Sequence, residues 1–149
     1  MAAATANRNY EGRVYTGKSN LSYEMTASLH VYRGTLAMVD VTTGLIAAFA
    51  AYDANDRFVG VHLAEVHNLA AALAHLKGDR AVVASQGTVI LDAAQVTSAW
   101  LGCAVAATDD HTVRLVTGSN EVYVGRVVRV ISTTQVEVEI DTDQDSFLS

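Results

Sequence analysis

Proline is absent from all 149 residues, and cysteine occurs once, as Cys103. A lone thiol excludes an internal disulfide, so the fold must be held by its core, and synthesis in a reducing cytoplasm is the expectation. Without proline, no segment is barred from donating its backbone N–H groups to a sheet. Basic charge is also scarce. Ten Lys and Arg against sixteen Asp and Glu leave a net charge of −6, with no dense basic stripe to neutralise phosphates, so nucleic acid is not an expected partner. No apolar run approaches the ~20 residues of a membrane-spanning helix, and a membrane is not an expected partner either. The first eight residues, Met1 to Arg8, lack the charged start and apolar centre of a secretory signal.

What is present is apolar matter in quantity. Half the residues are apolar and only 17% are charged, which excludes a wholly disordered chain and suits one domain with a real core. The ends differ from the middle. Residues 1–18 are polar, with Arg8, Arg13 and Lys18 against Glu11 alone, and read as an N-terminal arm. Asp141, Asp143 and Asp145 continue the acidic run of Glu137 and Glu139 without a base, so residues 142–149 read as an acidic tail. Residues 19–141 are the body.

Within the body the dominant pattern is β. Val136-Glu137-Val138-Glu139-Ile140 alternates apolar and charged residues, the mark of a strand with one buried face. Val122, Val124, Val128 and Val130 alternate with Tyr123, Gly125, Val127 and Arg129, and Ser132-Thr133-Thr134 is a turn, so residues 121–140 are expected to form a hairpin. Gly125 marks a bulge or a close backbone approach. Residues 35–41 and 45–51 flank the turn Thr42-Thr43-Gly44; residues 57–63 follow Asp53-Ala54-Asn55-Asp56. Residues 81–84, 88–91, 103–107 and 112–117 complete a series of short strands. The expected fold is mainly β, a barrel or sandwich of short strands, taken as a compact β-barrel-like body with an extended arm. One short helix is expected over residues 63–77, where Leu63, Val66, Leu69, Ala70, Leu73 and Leu76 recur every three or four residues, with Gly78 as C-cap. The alanine-rich residues 92–99 suit a single turn.

Residues with chemistry in them are few. Asp141, Asp143 and Asp145 open like a calcium loop, but Ser146 stands where that loop needs glycine, and a solvated tail is favoured. His62, His67 and His75 lack the spacing of three or four that lets two imidazoles of one helix grip an ion, so ordinary histidines are expected. Cys103 with His111 and Asp109 or Asp110 sketches a nucleophilic triad, and hence a small hydrolase. Cys103 lies in an apolar strand-like run with nothing to lower its pKa, so a core cysteine is favoured and no catalytic, cofactor or metal residue is assigned. Trp100 is expected as a core anchor, with an oligomer contact as the alternative. Tyr10, Tyr15 and Tyr23 have no local apolar face to join; they pack on a partner or fold back on their own domain.

Residues 28–51 read Ser-Leu-His-Val-Tyr-Arg-Gly-Thr-Leu-Ala-Met-Val-Asp-Val-Thr-Thr-Gly-Leu-Ile-Ala-Ala-Phe-Ala-Ala. After them come Phe58-Val59-Gly60-Val61, Gly87-Thr88-Val89-Ile90-Leu91, Leu101-Gly102, residues 107–113, Val124-Gly125-Arg126-Val127-Val128 and residues 136–141. In order and spacing, over about residues 7–141, this series resembles the head decoration (cement) proteins of tailed bacteriophages. Residues 63–77 are longer than that family's usual connector, and the acidic tail is additional. The resemblance implies a β-tulip-type domain that trimerises on the outer surface of a capsid, with the major capsid protein and its own copies as partners, no cofactor and no enzymatic activity. It also implies an arm that adds a strand to the capsid protein, here Asn7, Arg8, Asn9, Tyr10, Glu11, Arg13 and Tyr15. Another trimeric virion part, such as a head-fibre base or tail component, is the alternative.

Overall fold

The computed structural model describes residues 3–7, 20–68 and 80–142. Among these described residues twelve strands follow in chain order. They are β1 (Asn20–Glu24), β2 (His30–Val31), β3 (Leu36–Asp40), β4 (Leu45–Ala47), β5 (Asp56–His62), β6 (Val66–His67), β7 (Arg80–Ala84), β8 (Thr88–Asp92), β9 (Ala104–Ala107), β10 (Val113–Leu115), β11 (Val122–Ser132) and β12 (Gln135–Ile140). The protein is mainly β. One sheet has the order β1-β7-β5-β3-β4, a second β10-β9-β11-β12-β8, and β2 pairs with β6 in a small third sheet; all the pairings are antiparallel.

The two larger sheets enclose the main core. Leu36, Met38, Phe58 and Val61 from the first meet Val89, Leu91, Val105, Val124 and Val138 from the second. Strand alternation then puts Ala37 on the opposite face of the first sheet, where it joins Met25, Val31, Ile46, Ala81 and Val83 in a second cluster. Val31 and the half-buried Val66 bring the β2–β6 pair over that face. Tyr23 packs there too, against its own domain.

Neither large sheet closes into a barrel. In each, a single parallel bridge joins the outer strands or the residues beside them: Met25 to Ile46 in the first, Asp92 to Thr112 in the second. Thr26 N–H donates to the Ile46 carbonyl at 2.9 Å, and Asp92 N–H to the His111 carbonyl at 2.9 Å. The body is the compact, mainly β body expected, built of curled sheets with bridged edges and no closed barrel.

The 121–140 hairpin forms as its alternation predicts, with Val136, Val138 and Ile140 buried beside the more exposed Glu137 and Glu139. Its partner strand obeys the alternation only as far as Gly125. There the register against β9 slips between Tyr123 and Gly125, and a Cβ on Gly125 would collide with the Glu139 carbonyl. The slip exchanges the faces of the residues that follow, until a further slip against β12 between Val127 and Arg129 returns Val130 to the core side. Val127 turns inward at 1% exposure and Val128 outward at 44%, reversing the sequence expectation. A second bulge between Ala37 and Met38 of β3 against Gly60 and Phe58 of β5 explains why Phe58 and Val61, three apart, share one core.

The helix expected over residues 63–77 is not found where its residues are described. Leu63 N–H donates to the Val82 carbonyl, and Val66 and His67 are the strand β6. Asn68 is fully buried; its backbone N–H donates to Leu29, and its amide Nδ2 donates to the carbonyls of Met25 and Thr26. Pairing to distant backbone outweighs the modest helix propensity of Leu63–Asn68. Residues 69–77 lie outside the described residues. Near the alanine-rich stretch, the one helical turn among the described residues is a 3-10 turn at Ser98–Trp100.

Candidate functional site

The leading segment, residues 3–7, belongs to no strand and lies across the body. Ala4 N–H donates to Asp110 Oδ1 at 2.8 Å. Three residues on, the Asn7 amide is held at both ends: its Oδ1 accepts from Arg33 N–H at 2.8 Å, and its Nδ2 donates to Glu65 Oε1 at 3.0 Å. Of the arm residues expected to bind a capsid, Asn7 is therefore placed on its own domain. Arg8, Asn9, Tyr10, Glu11, Arg13 and Tyr15 lie outside the described residues.

Both anchors are also bonded within the body. Asp110 lies in the β9–β10 turn, where its carbonyl accepts from Leu36 N–H at 2.7 Å and ties the second sheet to the first. His111 Nδ1 stands 2.9 Å from Asp110 Oδ1 and 3.2 Å from Asp109 Oδ1, and Asp109 Oδ1 also accepts from His111 N–H. Burial pushes the Asp110 carboxyl up from its ordinary value, against the downward pull of its hydrogen bonds from His111 and Ala4. At the other anchor, Glu65 Oε2 lies 2.7 Å from His30 Nε2. His30 in turn stacks on Tyr32, with ring centroids 4.3 Å apart, and on its strand partner His67, 4.5 Å apart.

Asp109, Asp110 and His111 are the group among the described residues whose ligand atoms converge, all within 4.8 Å. Two carboxylates and an imidazole suit a divalent transition metal. In this turn Asp110 Oδ1 is paired with Ala4 N–H and the His111 ring, and Asp109 Oδ1 with His111 N–H, so the trio braces the turn.

The sketched nucleophilic triad does not assemble. Cys103 and His111 lie beyond opposite ends of β9, whose four residues span about 13 Å at ~3.3 Å per residue. The Cys103 thiol instead donates to the Ala99 carbonyl at 3.3 Å. His67 is exposed on the small sheet, while His62 is buried at 2% exposure with Nδ1 unpaired. His75, Asp143 and Asp145 lie outside the described residues. Trp100 is 9% exposed and belongs to the inter-sheet core; with Ala94, Val113 and Leu115 it also lines an apolar groove of about 330 Å³.

Sequence reasoning missed one acidic hollow of about 180 Å³, lined by Tyr52, Asp53, Asp56, Arg57 and Glu121. Asp56 was legible only as a turn residue. In the fold it is 7% exposed, and burial, with Asp53 and Asp40 nearby, pushes its carboxyl up to about 6.

No family model, curated protein or solved structure matches the chain.

Proposed function

We propose that this chain is a non-enzymatic virion protein that decorates the outer capsid surface of a tailed bacteriophage as a homotrimer. It reinforces the shell by clamping neighbouring major capsid proteins, in part through strand addition by its N-terminal arm. The resemblance over residues 7–141 supports the reading, and the mainly β body is of the kind that resemblance implies. The observation that carries it is the division between body and leader. Among the described residues the first strand begins at Asn20, and residues 3–7 rest on the surface outside every described sheet. Residues 3–7 can therefore leave the body without opening a β-ladder.

The physics of such an arm is favourable. Its proline-free backbone can pair with a neighbouring sheet edge. Ordering it costs about 1–2 kcal/mol per residue, so one arm binds weakly. Three arms on one trimer gain ~10²–10⁴-fold through tethering. The net charge of −6 suits the outside of a shell packed with nucleic acid.

Deletion of residues 1–18 tests the reading directly. The truncated protein is expected to keep its β circular dichroism spectrum and cooperative unfolding while losing co-sedimentation with capsids. Full capsid occupancy by the truncated chain would remove the arm from the mechanism.

A further inference from the structure

We propose that residues 3–7 are a strap that holds the leading end of the arm on its own body in the free protein and restrains the arm until a partner displaces it. The inference rests on the arm reading above and adds its regulation. Asn7 cannot serve a partner while its amide is bonded to Arg33 N–H and Glu65. The strap's two anchors belong to separate parts of the fold. Ala4 is held by the β9–β10 turn of the second sheet, and Asn7 by residues flanking the β2–β6 pair. Each carboxylate acceptor is fixed by a histidine, Asp110 by His111 and Glu65 by His30. The seat therefore exists before the strap arrives.

The strap is reversible because of what it lacks. Ala3, Ala4, Thr5, Ala6 and Asn7 bring no large apolar side chain, and Thr5, Ala6 and Asn7 are exposed. Hydrogen bonds with modest net worth are what hold it. A partner that takes the arm must first open the seat, so its apparent affinity is the intrinsic affinity multiplied by the undocked fraction.

Trypsin reads the docked fraction in the intact chain. Cleavage after Arg8 requires the preceding residues to enter the protease cleft, which the Ala4 and Asn7 contacts prevent; the rate then tracks the open population. The expected result is slow cleavage after Arg8 in the native chain relative to a free peptide of residues 1–18. Glu65→Ala, at an exposed position, should accelerate it about threefold, and Asp110→Ala with Glu65→Ala about tenfold. A native rate equal to the peptide's overturns the strap, as does slow cleavage that neither variant relieves. With capsids added, the doubly substituted protein should bind more tightly than the native one. Equal affinity overturns the restraint, whereas binding by neither protein refutes the proposed function and leaves the strap to be judged by the cleavage rates alone.

Discussion

His62 on β5 has 2% of its surface exposed and an unpaired Nδ1. Burial holds its pKa down at about 4, against the ordinary 6.5. Between those values the unfolded chain binds the proton and the folded chain refuses it, so stability is full above pH 6.5 and falls as the pH drops toward 4. The loss amounts to about 3 kcal/mol. Asp56 acts in the opposite sense. Its folded pKa of about 6 exceeds the ordinary 3.8, so it favours the fold at low pH and withdraws that contribution as the pH rises from 3.8 to 6. Urea unfolding from pH 4 to 8 should show the His62 slope steepened in Asp56→Asn and removed in a folded His62→Gln variant. Neither residue declares itself in the sequence, because burial is a property of what packs around it.

At the scale of the element, the β11–β12 hairpin separates pattern from register. An unbroken alternation counts Val128 as inward and Val127 as outward, and the bulge at Gly125 reverses them. Val127→Ala should therefore cost about 2 kcal/mol by removing packed methyl groups from the core. Val128→Ala should stay within about 0.5 kcal/mol. Denaturant midpoints for the two variants decide the matter. Gly125 was readable as a bulge because a glycine inside a strand signals close approach; which residues changed sides depended on where the slip fell against β9. Residues 63–68 show the other limit. Leu63 and Val66 fit a helical spacing, yet six residues are too few to separate helix from strand. Backbone partners at Val82, Val31 and Leu29 chose the extended form.

For the whole molecule, Trp100 distinguishes a core anchor from a surface contact. It sits in the core between the two large sheets while lining the groove beside β10. Trp100→Ala is expected to lower stability by about 3–5 kcal/mol, read by chemical denaturation. A change in solution mass at undiminished stability would instead make it an oligomer contact. The sequence by itself determined the mainly β class and most strands and turns, because period-2 alternation and turn residues are local signals. Only the tertiary structure decided that the sheets curl without closing, that Asp110 and Glu65 meet the leader, and that His62 and Asp56 are buried. Those outcomes depend on backbone and side chains brought together from far apart in the chain, and no local pattern encodes such meetings.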